Sequence, residues 1–246
     1  FLSHHTFMKL PVIIMAAGSG TRMRELTAHQ PKHLINVLGR PFLSYLLDNL
    51  ISAGFKDFYL VIGYQAAAGY DFVSNYKNNS SIKVINQFER LGEDKYGTLM
   101  PLVAVEKELN NQEVLVVSGD NLYSASDLKK MGGEGSAVAG FPHKNPERFG
   151  VLVPKGDNIL DYIVEKPEVP PSDLVNCGLY HFSKNIWPIL SQVKISPRGE
   201  YELTDAVSRL AKQEEVEIVR VEDYWLDFGR PEDVAVVESL LRNQNK

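Results

Sequence analysis

Val12-Ile13-Ile14-Met15-Ala16-Ala17-Gly18-Ser19-Gly20-Thr21-Arg22 passes from an unbroken apolar run into glycines, hydroxyls and a cation. A short apolar run bounded by a turn signal reads as a strand buried on both faces, the kind that parallel sheets contain. The glycines behind it let backbone N–H groups approach a ligand closely, and Arg22 with the later Lys32 adds the charge that phosphate oxygens need. Outward from this stretch the alternation repeats: a helix-period segment over 41–53, then Tyr59-Leu60-Val61-Ile62, a second helical segment over 97–109, then Val114-Leu115-Val116-Val117. Strands alternating with helices of this length are βαβ units.

In the first helical segment Phe42, Leu46, Leu50 and Ala53 recur three or four apart and share one face. Pro41 suits the first turn, where its missing N–H costs nothing, and Gly54 suits the cap. After about residue 132 the rhythm changes to β-like stretches over 137–141, 149–153, 160–164 and 177–182, followed by helices over 201–213 and 231–242. The expected fold is a single Rossmann-like α/β domain with a mixed, mainly parallel central sheet flanked by helices. It divides into a first half over about 8–125, which carries the glycine loop, and a second half over about 126–246. No six-residue period at the C-terminus announces a parallel β-helix.

Composition narrows the function. Of 246 residues 44% are hydrophobic, and 26 Lys plus Arg against 31 Asp plus Glu leave a net charge of −5. A general nucleic-acid binder would carry a basic surplus, so nucleic acid is not the expected partner. The single cysteine, Cys177, cannot form an internal disulfide or a thiolate metal site, which fits a cytoplasmic setting. No apolar run is long enough for a membrane span. Residues 1–7 lack the pattern of a signal peptide and read as an added remnant ahead of a natural start at Met8, which removes His4 and His5 from any metal argument.

Two common phosphate-binding patterns fail. A dinucleotide fingerprint needs a third glycine where Met23 stands and an acid about twenty residues past the loop, where Leu38-Gly39-Arg40-Pro41 offers none. A Walker loop needs Gly-Lys-Ser/Thr, which is absent. What remains is Gly18-x-Gly20-Thr21-Arg22, eight residues, then Pro31-Lys32. This resembles the signature of the nucleoside-diphosphate-sugar pyrophosphorylases, the sugar-1-phosphate nucleotidylyltransferases. The resemblance continues in order through Val117-Ser118-Gly119-Asp120-Asn121, Phe149-Gly150-Val151, Glu165-Lys166-Pro167 and Asn176-Cys177-Gly178-Leu179-Tyr180. It ends with Arg198-Gly199-Glu200-Tyr201-Glu202-Leu203-Thr204-Asp205 and Trp225-Leu226-Asp227-Phe228-Gly229, so it spans essentially Met8 onward.

The resemblance implies in-line attack by a sugar-1-phosphate oxygen on the α-phosphorus of a nucleoside triphosphate, with release of pyrophosphate. Such transfer is positioning plus charge stabilisation, so neither Ser19 nor Cys177 is expected as a nucleophile. By resemblance Ala16, Ala17, Gly18, Ser19, Gly20, Thr21 and Arg22 hold the nucleotide, with Gln87, Gly97, Thr98 and Asp120. Arg22 and Lys32 serve the triphosphate, and Lys166 completes the catalytic cations. Asp120 and Asp227 bind Mg²⁺, a hard ion that takes one or two protein oxygens and leaves its other positions to water and phosphates. Gly150, Glu165, Lys166, Asn176 and Arg198 take the sugar phosphate, Arg198 being equally readable as a solvated loop cation. The expected partners are the triphosphate and a sugar-1-phosphate, and a homo-oligomer is compatible with the sequence.

Between residues 86 and 102 the pattern departs from relatives, which place a base-contacting Gln about five residues before a Gly-Thr-Ala-like turn. Gln87 precedes Gly92 by that interval, yet the better turn, Gly97-Thr98-Leu99, lies five residues later, and Leu99 replaces the usual alanine. Either the loop carries an insertion or Gln87 is not the base reader. Trp225 reads as a core aromatic before a stacking residue. The overall resemblance favours dTTP or UTP with glucose-1-phosphate. A guanylyl- or cytidylyltransferase with a mannose-1-phosphate or phosphocholine-type acceptor, and an idle homologue that senses nucleotide sugars, are the rival readings.

Overall fold

The computed structural model describes residues 9–18, 20, 23, 26–28, 30–77 and 82–244, and all that follows concerns these residues. In chain order the first half comprises β1 (Val12–Ala16), β2 (Asn36–Val37), β3 (Arg40–Pro41), α1 (Phe42–Ser52), β4 (Phe58–Ile62), α2 (Ala66–Asn75), β5 (Ile82–Asn86), α3 (Gln87–Leu91), α4 (Met100–Leu109), β6 (Val114–Ser118), β7 (Asn121–Tyr123) and α5 (Ala125–Met131). The second comprises β8 (Ser136–Pro142), β9 (Gly150–Lys155), β10 (Ile159–Glu165), β11 (Leu174–Phe182), α6 (Trp187–Leu190), α7 (Leu203–Leu210), β12 (Val216–Arg220), β13 (Trp225–Asp227) and α8 (Asp233–Gln244).

One sheet runs through both halves in the order β5-β4-β1-β6-β11-β8-β12-β10-β9. From β5 to β6 every pairing is parallel, with β1 at the centre of that half, between β4 and β6. Beyond β6 the sheet turns antiparallel, except where β12 lies parallel to β8. The α/β class and the mixed sheet match the expectation, but the sheet is mainly parallel only from β5 to β6, the βαβ region read from the apolar runs. Across the whole sheet antiparallel neighbours are as frequent as parallel ones, because the strands after β6 are joined mostly without helical crossovers.

Strand side chains alternate between faces, and the core divides accordingly. Val12, Ile14, Phe58, Leu60 and Ile62 join α1, α2, α5 and α8 in one core cluster, while Ile13, Tyr59 and Val61 join α4, α6 and α7 in the other. The result is a sheet between two helical layers, in which β1 is buried on both faces as its unbroken apolar run requires.

Helix α1 buries Phe42, Leu46 and Leu50 as their spacing demands. Pro41 stands one residue ahead of the first helical turn rather than within it, because it also ends β3. Gly54 closes the helix with φ 102°, its N–H donating to Ile51 O at 3.0 Å. Asp233, the first residue of α8, accepts hydrogen bonds from Gly229 N and Arg230 N at 2.9 and 2.7 Å, so the acid of the Pro-Glu-Asp turn ties the preceding loop to the helix and sets a negative charge in its first turn. Among the described residues no helix is long and apolar enough to cross a membrane.

Candidate active site

A cavity of about 600 Å³ opens beyond the carboxyl ends of β1 and β6, where open α/β sheets place their ligands. Its floor is Ala16, Ala17, Gly18 and Gly20 from the glycine loop; Ser19, Thr21 and Arg22 lie outside the described residues. Gly20 has φ 63°, and a Cβ there would come within 3.0 Å of Lys32 Cβ, so the missing side chain is what lets the lysine lie against the loop. Lys32 then reaches across the cavity to donate a hydrogen bond to Asp120 Oδ2.

Asp120 follows β6 and Asp227 ends β13, far apart in sequence. The short β7–β13 pairing places Asn121 opposite Asp227, and Phe228 N donates to Asp120 O at 2.8 Å. The two acids thereby line the same wall. Burial pushes the Asp120 carboxyl up, but the Lys32 ammonium and the Asn121 amide outweigh it and hold the group below its ordinary value. Carboxylate oxygens are hard donors suited to a divalent cation with oxygen ligands. Among the described residues no group of three or more His, Cys, Asp or Glu side chains is placed to hold a metal ion. An ion here would therefore take its remaining oxygens from water and phosphate.

His33, beside Lys32, also lines the cavity and was given no role by the sequence. It is buried with Nε2 unpartnered among protein groups. Burial first and the Lys32 ammonium second lower its pKa to about 4, so the folded chain keeps the ring neutral. The unfolded chain protonates it near 6.5. The stability His33 contributes is therefore whole above pH 6.5 and lost as the pH falls to about 4, for a total of roughly 3 kcal/mol. We expect urea titrations to show this loss in the native chain and a shallower one in His33→Asn; identical slopes would refute it.

At the opposite end, Glu165 closes β10 in register with Gly150 of β9, and both face the cavity. Lys166 has φ 45°, a left-handed backbone that costs a non-glycine residue energy, and its N–H is fixed on Phe149 O at 3.0 Å. Lys166 Nζ lies 3.6 Å from Glu165 Oε1. Asn176 donates from Nδ2 to Tyr180 Oη at 2.7 Å and accepts from Gly178 N at 3.0 Å, so its amide is oriented and only half committed. Arg198 is not a free loop cation: Nη1 donates to Glu165 Oε1 at 3.1 Å and Glu202 Oε1 at 3.0 Å.

The third wall draws on residues 86–102. Gln87 and Gly97 both line the cavity, whereas Gly92 does not, and α3 with the loop after it lies between them. Gln87 is 2% exposed, with Nε2 donating to Lys95 O at 3.2 Å and Oε1 unpartnered. Leu99 is wholly buried beneath α4, so the bulk that replaces alanine fills core. Gly97, at φ 131°, leaves no space for a side chain: a Cβ would fall 2.3 Å from Tyr201 O. That contact is backbone and cannot yield, so Gly97→Ala is expected to cost at least about 2 kcal/mol in chemical denaturation and to displace Thr98 from the wall. Wild-type stability in that variant would reject the tight approach.

Trp225 is both core and wall. It packs near Phe149 and Phe141, with centroids at 5.4 and 5.8 Å, and its Nε1 donates to Asn121 Oδ1 at 2.5 Å. Cys177 is buried, which pushes its thiol well up and leaves it a poor nucleophile, in keeping with its expected inertness. Sequence reasoning also left Tyr96, Tyr180, Glu202 and Thr204 without roles, though all line the cavity. The last three sit inside motifs it had quoted; Tyr96 carried no signal.

A glycine loop, a lysine and two acids thus stand together at the carboxyl ends of a parallel half-sheet, where open α/β proteins take their ligands. The chain matches the family described as Nucleotidyl transferase over residues 11–244. It is 36% identical to the "Bifunctional protein GlmU" of Methanocaldococcus jannaschii across 94% of this chain and 54% of that protein. It is 30% identical to the "UTP--glucose-1-phosphate uridylyltransferase AglF" of Haloferax volcanii across 96% of this chain and 98% of that one. A crystal structure of UDP-glucose pyrophosphorylase complexed with UDP-glucose shares the fold, with a TM-score of 0.81 at 21% identity over 96% of this chain and 99% of that one. The chain belongs to the nucleotidyl transferase family. It spans about half the length of the GlmU relative and nearly all of AglF.

Proposed function

We propose that this chain is a sugar-1-phosphate nucleotidylyltransferase, transferring a nucleoside monophosphate from dTTP or UTP to a hexose-1-phosphate, glucose-1-phosphate foremost, with release of pyrophosphate. The observation that carries the reading is one cavity with two chemically distinct ends: Lys32, Asp120 and Asp227 at the glycine loop, and Glu165, Lys166 and Asn176 across from them. In this reading the loop N–H groups, Arg22 and Lys32 bind the triphosphate. Lys166 holds the sugar phosphate so that its oxygen faces the α-phosphorus, and Glu165 and Asn176 hold the sugar hydroxyls. Asp120 and Asp227 would hold Mg²⁺, which supplies charge neutralisation at the reacting phosphates. Lys32, which donates to Asp120 Oδ2, would stand beside such an ion and also within reach of phosphate oxygens. No protein group forms a bond to phosphorus, so in-line geometry and fixed charge carry the rate.

The similarity to AglF supports a uridylyl transfer to glucose-1-phosphate, and Gln87 beside Gly97 supports an amide reading the base edge. Guanine also offers an adjacent donor and acceptor, so the decisive test is pyrophosphate release over a grid of dTTP, UTP, CTP and GTP with glucose-, mannose- and other hexose-1-phosphates. Fastest turnover is expected with UTP or dTTP and glucose-1-phosphate. A GTP or CTP preference would overturn the base assignment and leave the reaction class standing, whereas silence across the grid would overturn the class and favour the idle homologue.

A further inference from the structure

Glu202 stands immediately ahead of α7, at φ −89° and ψ 129°, where a side chain commonly caps the helix. It does not do so. No helix amide of α7 donates to the Glu202 side chain, and the first of them, Leu203 N, donates to Thr98 Oγ1 at 2.9 Å instead. That side chain is 4% exposed yet lines the cavity. Its Oε1 accepts from Arg198 Nη1 at 3.0 Å and from Ser196 Oγ at 3.2 Å.

Arg198 rides on a tight turn in which Ser196 N donates to Glu200 O and Gly199 N to Ser196 O, both at 2.9 Å, with Arg198 N on Ser196 Oγ at 3.2 Å. The turn fixes the Arg198 backbone but not a long flexible side chain that is 37% exposed. Of the two carboxylates that share Nη1, Glu165 is 24% exposed and Glu202 only 4%. A buried carboxylate is costly to leave unpaired, so it holds its guanidinium far more firmly than an exposed partner does. Glu165 is also the group that must turn to a ligand in the cavity, and the third carboxylate near the guanidinium, Glu200, lies 3.9 Å from Nη2, beyond hydrogen-bond distance, so it cannot fix Arg198 in Glu165's place.

We infer that Glu202 is a positioning residue that anchors the Arg198 guanidinium at the sugar-phosphate end of the cavity while Glu165 is released to the sugar. This rests on the reading of Arg198 as a phosphate ligand. The pair acts as one unit, and its members should fail to add when removed together.

Steady-state kinetics with glucose-1-phosphate and UTP test it through Glu202→Gln, Arg198→Gln and the double variant. Glu202→Gln should raise the KM for glucose-1-phosphate on the order of tenfold, with kcat and the KM for UTP within about twofold of wild type. Arg198→Gln should raise the same KM at least as far, and the double variant no further than Arg198→Gln alone. Ser196→Ala, which removes the second donor to Glu202, should give a smaller rise in the same direction and serves if Glu202→Gln does not fold. Multiplying losses in the double variant, an unchanged KM in both Glu202→Gln and Ser196→Ala, or equal losses for both substrates with a fallen Tm would overturn the inference. An unchanged KM in Arg198→Gln would instead overturn the phosphate reading on which it stands.

Discussion

Asp227→Asn is expected to lower kcat by about three orders of magnitude, because it removes a negative charge where a divalent cation would neutralise the reacting phosphates, an effect worth roughly 4 kcal/mol. The substitution keeps the side-chain shape, and the backbone pairing of Asp227 with Asn121 does not involve the carboxylate. Circular dichroism and Tm should therefore stay near wild type. Raising Mg²⁺ should recover little, since the lost donor is charge and not occupancy alone. Activity close to wild type, or wild-type turnover that survives a chelator, would remove Asp227 from the metal site.

Lys166→Ala should split the two substrates. Its ammonium faces the end of the cavity away from the glycine loop, so the loss of a charge-assisted contact should weaken glucose-1-phosphate by about 1.5–3 kcal/mol and leave the triphosphate nearly untouched. The left-handed backbone at φ 45° supplies a control. Glycine adopts that conformation without strain, so Lys166→Gly should bind sugar phosphate as poorly as the alanine variant while unfolding at a temperature no lower than wild type. Calorimetry that finds equal losses for both substrates would reject the division of the cavity into two ends.

Some elements escaped the sequence for local reasons. Helix α2 buries only Gly69 and Phe72, too thin a stripe to show helical period, and its glycine reads as a breaker. Gly69 is there because a Cβ would come within 2.8 Å of Ile62 on β4. Strand β5 sits at the sheet edge with Lys83 exposed, which breaks its apolar run. Strand β12 alternates in burial over Val216–Arg220, a pattern too short to stand out between two helices.

What the sequence determined by itself was whatever depends on neighbours along the chain. Continuous apolar runs specify strands buried on both faces, spacings of three and four specify α1, and glycines after β1 specify a backbone that a ligand can approach. The residues bearing chemistry were legible as types in motifs. What only the tertiary structure decided was which of them meet. Asp120 and Asp227 share a wall because β7 pairs with β13, and Gly97 rather than Gly92 lines the cavity, packed against Tyr201 with no room for a Cβ. Arg198 changes from a loop cation to an anchored one because burial leaves the Glu202 carboxylate dependent on it. Each is a contact between segments distant in the chain, set by strand register and close packing, and no local periodicity encodes the distance at which two such segments come to rest.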